Sequence, residues 1–511
     1  MDKRGGFVID YGSQPTTNHQ PHTQVIRRNI WFKTITLILV EAGIVFSFVL
    51  MGLYIRFPDY FSSILFDQRG IYKIALPMAV SQITFYLFDL YDVAKPRLRR
   101  ELLTALFQAA AAVLIVLGVI FMLRPTLLLG YLQEGEGSVP VRYGNGIPVV
   151  ALILALALMI FWRLGIHWLM RNPMLGDRLL IIGTNKLATD VAHEAMLRRD
   201  LGYKVAGYIS EDPKLVGTSL VTQGASLDIG YNTFSREVLG AVSDLNRIVE
   251  EEKIDRVVVA LQDRRGHMPV DQLLKIRLQG QAAIEEGTAL YEKLTGKISV
   301  EMLRPSWIIF SGGGKRGTLS GFIRRLFNIL MALIGTALSF PLAVFAAIAI
   351  KLDSPGPIFY TQERVGKNGR LFNIIKFRSM RQDAEKGGAQ WAAERDPRIT
   401  RVGNFLRKTR IDEIPQFINI LRGDMSFVGP RAERPVFVEQ LSEQIPFFAQ
   451  RHLVEPGLTG WAQVNYGYGA SVEDSMQKLQ YDLYYIKNVS LLFDIWIMFK
   501  TIKVVLFGHG R

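Results

Sequence analysis

Long uninterrupted runs of apolar residues constrain the fold of this chain more than any other feature. About 20 helical residues are needed to cross a bilayer, and four runs approach or exceed that length. A hydrophobic share of 49% over 511 residues agrees with extensive burial in lipid. The sequence therefore predicts an α-helical bundle of four spans over residues 34–170, after a polar tail of residues 1–33. The predicted spans are Thr34–Ile55, Ile74–Tyr91, Leu102–Leu123 and Ile147–Met170.

Charges beside these spans predict their orientation. Basic residues precede the first span, lie between the second and third, and follow the fourth, whereas the loops 56–73 and 124–146 carry few. Because short cytoplasmic loops are enriched in Lys and Arg, the amino terminus and everything after Met170 are expected in the cytoplasm. The formal net charge of +14 suits an anionic partner, either a phospholipid bilayer or a phosphorylated substrate. No nucleic-acid motif is present, so nucleic acid is not an expected partner.

Glu41 is an acidic residue inside the first predicted span. Ionisable groups at such depth are costly and often mark function. The alternative is a helix-packing contact or a protonated carboxyl, and the pattern of the other spans suggests no relay partner. Both interpretations stay open on the sequence alone.

Residues 177–310 have the pattern of a Rossmann-like α/β domain. Short apolar strands are predicted at 178–183, 203–209 and 254–261, separated by segments with helical spacing. Strands that alternate with helices in this way form parallel sheets. The first turn keeps only Gly183 of the dinucleotide-binding fingerprint, which needs further glycines for the pyrophosphate to approach the backbone. A structural or dimer-forming role is therefore favoured over nucleotide binding.

A fifth apolar run, Leu326–Ile350, follows a glycine-rich linker predicted at 311–323. Its length alone predicts another crossing. However, Pro341 lies inside it, and a proline removes a backbone hydrogen bond and kinks a helix, so the run could instead dip into the membrane and return to the same face. The final apolar stretch, Ser490–Phe507, carries Asp494, Lys500 and Lys503 and is predicted to lie in the membrane interface as part of a C-terminal segment 489–511.

The run Arg407–Glu433 holds adjacent carboxylates, Asp412 and Glu413, within a strongly basic region. Guanidinium groups bind phosphoryl oxygens, while carboxylates can hold a divalent cation or attack phosphorus. An isolated Asp-Glu pair is usually a solvated helix start, so the surroundings decide between the two readings. Three other arginines here could also bind substrate, but basic residues of a domain that rests on an anionic bilayer more often serve adhesion: Arg364, Arg370 and Arg401.

Three strings extend this motif: KLDSPGPIFYTQERVGKNGRLFNIIKFRSM from Lys351, TRVGNFLRKTRIDEIPQFINILRGDMSFVGPR from Thr400, and PGLTGWAQVNYG from Pro456. Together they resemble the monotopic phosphoglycosyl transferases of bacteria, which are polyprenol-phosphate sugar-1-phosphate transferases. The resemblance runs from about Arg324 to the C-terminus. It implies a mainly α monotopic catalytic domain at 352–488 and a re-entrant membrane helix at 324–351. The family breaks that helix at a Ser-Pro pair, whereas this chain has Ser339 and Pro341 separated by one residue.

The resemblance also implies a chemistry. Asp412 would attack the β-phosphorus of a UDP-sugar and expel UMP, Glu413 would bind Mg²⁺, and undecaprenyl phosphate would accept the sugar phosphate. This reaction begins exopolysaccharide, capsule or O-antigen repeat units at the bacterial inner membrane, usually with a hexose in chains of this architecture. The implied substrate- or phosphate-binding residues are Lys376, Arg378, Arg407 and Arg431, with Asp424 expected to order the site.

Two other functions remain to be weighed. Membrane-bound nucleotide-sugar dehydratases and epimerases also join four spans to an α/β domain, but they need an intact glycine fingerprint and a Tyr-x-x-x-Lys pair, and neither occurs at 171–310. A polysaccharide-assembly scaffold without chemistry would not require Asp412. A homodimer is expected because a four-helix bundle offers apolar surface for association.

Overall fold

The computed structural model describes residues 30–56, 70–91, 99–123, 131–134, 137–140, 147–171, 176–198, 202–226, 230–261, 268–300, 318–382, 396–467 and 471–507, with a few single positions between these ranges. The chain divides into two compact units, residues 1–172 and 173–511. Most of the predicted N-terminal tail and the glycine-rich part of the predicted linker lie outside the described residues.

The first unit is a bundle of apolar helices with a short hairpin. Its core is made of side chains such as Val45, Phe85, Leu106 and Met159, and its outer surface is apolar too, which suits lipid as the solvent. The elements are α1 (Ile30–Arg56), α2 (Gly70–Leu87), α3 (Arg99–Leu123), β1 (Tyr131–Glu134), β2 (Gly137–Pro140) and α4 (Ile147–Arg171).

Three of the four predicted spans are confirmed as helices long and apolar enough to cross a membrane: Thr36–Ile55, Leu102–Leu123 and Val149–Ile166. The second is shorter than predicted, because its apolar helix runs only from Ile74 to Leu87. The chain then turns at 88–91, where Asp89 has a left-handed φ of 59°. A non-glycine residue in that conformation ends a helix. The fourth long apolar helix of the described chain is the segment around Pro341.

Glu41 is fully buried and forms an ion pair with Arg163 of α4. The guanidinium is bidentate, with Nε donating to Oε1 at 2.5 Å and Nη2 to Oε2 at 2.9 Å. The Tyr91 hydroxyl donates to Oε2 at 2.6 Å, and Arg163 also donates to the Leu90 carbonyl. The helix-packing interpretation of Glu41 therefore holds. Arg163 was not predicted as the partner of Glu41, because it lies within an otherwise apolar run.

Replacing Glu41 by alanine should destabilise the bundle by about 3–5 kcal/mol, because it leaves the buried Arg163 charge without a partner. We expect a lower midpoint of thermal unfolding for the purified protein in nanodiscs. The double variant Glu41→Ala/Arg163→Met should recover much of the loss, since it removes both charges together. An unchanged midpoint in the single variant would show that the ion pair contributes nothing.

The second unit begins with a six-stranded sheet in the order β5-β6-β4-β3-β7-β8. All neighbours are parallel except the edge pair β5 and β6. Alternate residues of β3 enter two cores on opposite faces, with Leu179 and Ile181 in one and Leu180 and Ile182 in the other. The elements are β3 (Asp177–Ile182), α5 (Lys186–Leu197), β4 (Tyr203–Ser210), β5 (Ser219–Ser226), β6 (Gly230–Ala241), α6 (Leu245–Glu251), β7 (Arg256–Val259), α7 (Val270–Leu278), β8 (Ala283–Glu286) and α8 (Gly287–Thr295).

The predicted strands and the parallel α/β topology are thus present, and the antiparallel hairpin was not foreseen.

The turn after β3 is held together by hydrogen bonds and packing of its own residues. Asn185 caps α5 by accepting from the Ala188 N–H at 3.0 Å, and its amide donates to the Ala260 carbonyl at 2.6 Å. A Cβ on Gly183 would lie 2.7 Å from that carbonyl oxygen. These contacts occupy the crevice where a dinucleotide would approach the backbone, in line with a structural role.

The rest of the second unit is a compact α-rich domain with three small strand pairs or bridges. Its elements are α9 (Thr318–Asp353), β9 (Phe359–Val365), β10 (Leu371–Phe377), α10 (Arg401–Lys408), α11 (Gln416–Arg422), β11 (Ser426–Val428), α12 (Pro435–Gln444), β12 (Gly457–Thr459), α13 (Trp461–Asn465), α14 (Val472–Asn488) and α15 (Leu491–Phe507). Strands β9 and β10 form an antiparallel hairpin, and β11 pairs with β12 in parallel.

The segment that follows α8 packs into this α-rich domain. Ile298 and Val300 belong to its core, and the Ile298 N–H donates to the Gln480 carbonyl at 3.1 Å. The Trp461 indole donates to the Gly296 carbonyl at 2.9 Å and packs against Phe493. Trp461 thus packs against the core of this domain and holds the segment after α8 in place. The α/β domain is consequently attached by packed side chains in addition to the chain connection.

Helix α9 is continuous through Pro341, and the Ser339 hydroxyl lies 3.5 Å from the Thr336 carbonyl of the preceding turn. Its amino-terminal half contacts the α-rich domain through Arg325, which donates to the Ile420 and Leu421 carbonyls at 2.6 and 2.7 Å. Its carboxyl half packs Ala346 and Ile350 against Leu406 and Ile411. Both halves of this apolar helix therefore lie against the same domain.

Asp494 on α15 differs from its predicted interfacial position. Its side chain is buried and accepts from Arg324 Nε at 2.5 Å and from the Tyr485 hydroxyl at 2.8 Å. Both donors also reach the Val428 carbonyl, at 3.2 Å from Arg324 and 2.9 Å from Tyr485. The cluster thus joins the start of α9, the carboxyl-terminal helix and the strand before the Arg431 loop.

Candidate active site

The adjacent carboxylates lie on a single 3₁₀ turn, Ile411–Glu413, between α10 and α11. Thr400 caps the start of α10 by accepting from the Gly403 N–H at 2.9 Å. Arg410, which has a left-handed φ of 59°, lies immediately before the 3₁₀ turn. Ile411 anchors the turn by packing into the cluster below α9. Asp412 and Glu413 are both 8% exposed, so this turn presents two largely desolvated acids.

Cations surround Glu413. Lys376 of β10 lies 3.1 Å from its Oε1, and Arg410 and Arg431 each lie 3.7 Å from the same oxygen. Lys376 is itself desolvated, and this burial lowers its pKa, while Glu413 opposes that shift. The structure thus brings together Asp412, Glu413, Lys376 and Arg431 as predicted, and adds Arg410.

The two acids have opposite electrostatic environments. Burial and then the negative charge of Glu413 raise the pKa of Asp412 to about 6. Burial alone would also raise the pKa of Glu413, but Lys376, Arg431 and Arg410 outweigh it and hold that pKa well below its usual value. Glu413 therefore stays ionised near neutral pH, whereas Asp412 is a carboxylate of raised basicity.

The raised pKa of Asp412 predicts an unusual acid limit. If its carboxylate is the nucleophile, the rate should fall as pH decreases through about 6, where the carboxyl takes up a proton. An ordinary aspartate, with a pKa of about 3.9, would lose ionisation roughly two units lower. The measurement is single-turnover UMP release from a UDP-sugar without lipid acceptor, which avoids titration of the acceptor phosphate. A rate that stays constant down to pH 5 would contradict the assignment.

A small pocket opens on the Glu413 side of the turn and is lined by Arg364, Lys376, Gln416 and Arg431. Gln416 is 2% exposed, and within the described chain its Nε2 has no hydrogen-bond acceptor; the same is true of Arg364 Nε. Buried donors without partners are costly, so an acceptor oxygen, of a phosphate or of a water molecule, would be stabilised here. Arg364 was expected at the membrane surface and is instead a pocket residue.

Neither Arg364 nor Gln416 was predicted as part of the site. Arg364 projects from β9 and Gln416 from the first turn of α11, and only the tertiary fold brings them to Glu413. The position of Gln416, four residues after Asp412 in the same motif, was the available signal. Arg370 and Arg401 do not line this pocket.

Arg378, which the resemblance predicts as a substrate- or phosphate-binding residue, has its described contacts with the turn after α9. It is 6% exposed, and its two terminal nitrogens donate to the Ser354 and Pro355 carbonyls at 2.7 and 2.9 Å. It also donates to the Ser354 hydroxyl at 2.9 Å. These contacts fix the turn after α9, so Arg378 supports the end of the membrane helix and its described contacts are not with the carboxylates.

Asp424 orders the site through Asn419. The Asn419 amide donates to Asp424 Oδ2 at 3.1 Å and to the Asn373 carbonyl at 2.8 Å, and its Oδ1 accepts from the Ile375 N–H at 3.0 Å. Asn419 is fully buried and so joins α11 to β10, the strand that carries Lys376. Arg407 lies in the last turn of α10 and is near enough to lower the pKa of Asp412.

The donor set around the turn fits a hard divalent cation. Mg²⁺ is usually held by one or two carboxylates, substrate phosphates and water. The nearest cationic nitrogens lie within 4 Å of Oε1 of Glu413, so a divalent cation on this carboxylate would share it with them. No cluster of three or more acidic, histidine or cysteine ligands occurs among the described residues, so the protein would supply few ligands and a bound diphosphate would complete the set.

Comparison with known proteins gives a consistent result. Residues 319–508 match the bacterial sugar transferase family. A UDP-N-acetylgalactosamine-undecaprenyl-phosphate N-acetylgalactosaminephosphotransferase of Aeromonas hydrophila is 48% identical over 219 residues, which covers 43% of this chain and 51% of that protein. The chain thus aligns with about half the length of this relative.

Two further relatives match over more of their length. The UDP-glucose:undecaprenyl-phosphate glucose-1-phosphate transferase of Escherichia coli (strain K12) is 31% identical over 66% of this chain and 70% of that protein. The undecaprenyl-phosphate glucose phosphotransferase of Komagataeibacter xylinus is 32% identical over 73% of this chain and 71% of that protein. These matches extend the similarity beyond the α-rich domain.

Proposed function

Because the chain belongs to the bacterial sugar transferase family, we propose that it transfers a sugar-1-phosphate from a UDP-sugar to undecaprenyl phosphate. The observation that carries this proposal is the 3₁₀ turn that presents Asp412 beside a cationic pocket. A buried aspartate of raised basicity is suited to attack phosphorus, and the cations suit a diphosphate. The product would be the first lipid-linked unit of an exopolysaccharide, capsule or O-antigen.

The reaction would proceed in two displacements. In the first, an Asp412 carboxylate oxygen bonds to the β-phosphorus while the bond from that phosphorus to the bridging oxygen breaks, and UMP leaves with the electron pair. In the second, a phosphate oxygen of undecaprenyl phosphate bonds to the same phosphorus and Asp412 departs as a carboxylate. The lipid then carries a diphosphate-linked sugar. Two steps allow a water-soluble donor and a membrane-bound acceptor to react at different times.

The residues around the turn would have separate roles in this reaction. Lys376 and Arg431 stabilise negative charge on the transferred phosphoryl group, and Arg410 and Arg407 neutralise charge on the flanking oxygens. Glu413 would hold Mg²⁺, which when bound neutralises the diphosphate and favours departure of UMP. Gln416 and Arg364 donate to oxygens within the pocket.

The contacts of α9 support a re-entrant membrane helix. A full crossing would keep roughly 20 consecutive residues clear of a domain that lies on one side of the membrane. In α9, the domain contacts resume at Ala343 after Gly335, where Phe417 lies 3.0 Å from the Cβ position, and this gap is only about 12 Å of helix. The helix would therefore enter and leave on the cytoplasmic face, with its exposed apolar side chains in the hydrocarbon.

The sugar is best identified by experiment, since the Aeromonas relative is named for N-acetylgalactosamine and two others for glucose. Purified full-length protein in nanodiscs is incubated with Mg²⁺, undecaprenyl phosphate and each of UDP-glucose, UDP-galactose and their N-acetylated forms. We expect one preferred donor, with equal amounts of UMP and sugar-labelled lipid. NAD-dependent absorbance without UMP would favour a dehydratase, and inactivity with every donor would favour a scaffold.

We also propose a homodimer in the bacterial inner membrane. The lipid-exposed apolar surface of the helical bundle, including Leu39, Phe107 and Phe161, offers an area for association. Cross-linking in native membranes should give a dimer band. A monomer band alone, at cross-linker concentrations that capture a known membrane dimer, would contradict this proposal.

A further inference from the structure

A second cavity lies against the site turn, between the carboxyl half of α9 and α10. It is a groove of about 340 Å³, lined among others by Leu342, Phe345, Ala349, Phe405 and Ile411. Arg401, at the start of α10, contributes the one charged side chain to the described lining. The groove thus offers apolar contact and few hydrogen bonds.

The groove and the Glu413 pocket are both lined by residues of the turn Ile411–Glu413, but the groove is apolar and the pocket is basic. Ile411 lines the groove and Glu413 lines the basic pocket, and Asp412 lies between them in the chain. The nucleophile therefore stands where a polar cavity and an apolar cavity approach each other. A UDP-sugar, which is anionic and rich in hydroxyls, finds its complementary groups only in the basic pocket.

The groove is continuous with the apolar surface of α9. Phe345 and Phe405 remain 66% and 56% exposed, and Leu342 is 43% exposed. Exposed side chains of this size are stable when lipid or another apolar group covers them. An apolar chain in the groove would thus pass directly from the helix surface toward Asp412.

We infer that this groove binds the isoprenoid chain next to the phosphate of the lipid acceptor. The inference rests on the proposed function and adds the place where the acceptor is bound. Burial of the chain in the groove would hold its phosphate near Asp412, ready to react after UMP has left. Its effect should therefore be confined to the second displacement.

The test compares Ala349→Trp, which fills the groove, with Ile348→Trp, which places the same indole side chain at a neighbouring exposed position that does not line it. Both are assayed with undecaprenyl phosphate and with methyl phosphate, an acceptor without an isoprenoid chain. Exchange of labelled UMP into UDP-sugar reports the first displacement alone. A second variant, Phe405→Ala, removes one wall of the groove. Because Phe405 is half-exposed, this variant should fold even if Ala349→Trp does not.

For Ala349→Trp we expect the KM for undecaprenyl phosphate to rise about tenfold or more, because burial of at least two methylene-sized groups is lost. Its UMP exchange and its use of methyl phosphate should stay near those of Ile348→Trp. Phe405→Ala should raise the same KM in the same direction. Unchanged kinetics with undecaprenyl phosphate, or equal losses with both acceptors, would overturn the inference. Absence of UMP exchange in the wild type would instead defeat the proposed function itself.

Discussion

Replacing Asp412 by asparagine is expected to abolish sugar-phosphate transfer, with a loss of at least about 10³-fold in kcat, as for other enzymes that lose a covalent nucleophile. Asparagine has nearly the same shape, so the 3₁₀ turn should persist. The amide, however, lacks the anionic oxygen that bonds to phosphorus. UMP exchange should disappear together with overall transfer, because both require the same covalent intermediate.

The matched control for this variant is Glu439→Gln, which makes the same carboxylate-to-amide change at an exposed residue of α12. It should retain wild-type UMP exchange and thermal stability. Retention of exchange by Asp412→Asn, in protein that is folded, would require another nucleophile and would overturn the two-displacement mechanism.

The second large effect is expected for Glu413→Gln. The amide leaves Lys376, Arg410 and Arg431 without the anion they surround and removes the carboxylate suited to a divalent cation. We expect kcat to fall by roughly 10²–10³-fold, in the range of lost electrostatic stabilisation at a reacting centre, and dependence on Mg²⁺ concentration to weaken.

A second expected effect of Glu413→Gln distinguishes loss of this carboxylate from general damage to the site. The negative charge of Glu413 raises the pKa of Asp412, so its removal should shift the acid limit of the residual activity to lower pH. The pH profile of single-turnover UMP release measures this shift. An acid limit that stays in place would show that the two carboxyls do not interact as described.

The sequence predicted those site residues that are adjacent in the chain or belong to the motifs of the family resemblance. Asp412 and Glu413 are adjacent, and Lys376 and Arg431 belong to motifs that the family resemblance placed in order, so their assembly could be predicted. Arg364 and Gln416 could not be assigned in the same way. Their membership depends on how β9 and α11 pack around the turn, and a basic residue looks the same whether it meets lipid or substrate.

Two charged side chains have partners that the sequence did not predict, for related physical reasons. The family resemblance predicts Arg378 to bind phosphate. Its guanidinium donates hydrogen bonds to the carbonyls of the turn after α9. Asp494 has the spacing of an interfacial residue and is instead paired with Arg324 across the fold. In both cases a long-range partner decides the role of the charge, and hydrophobic periodicity carries no information about that partner.

The membrane segments show the same limit. Three spans followed from length and hydropathy, but the second helix ends early at a left-handed turn, and the partner of Glu41 lies on a helix that is distant in sequence. The sequence could locate the buried charge. It could not identify Arg163 as its counter-ion, because helix packing sets that contact.

The most direct test of the central claim is mass spectrometry of the protein after incubation with its preferred UDP-sugar and no lipid acceptor. We expect a mass increase equal to one phosphosugar, located on the peptide that contains Asp412, lost when undecaprenyl phosphate is added and absent from Asp412→Asn. An unmodified Asp412 peptide, in protein that completes transfer to lipid under matched conditions, would contradict the covalent intermediate.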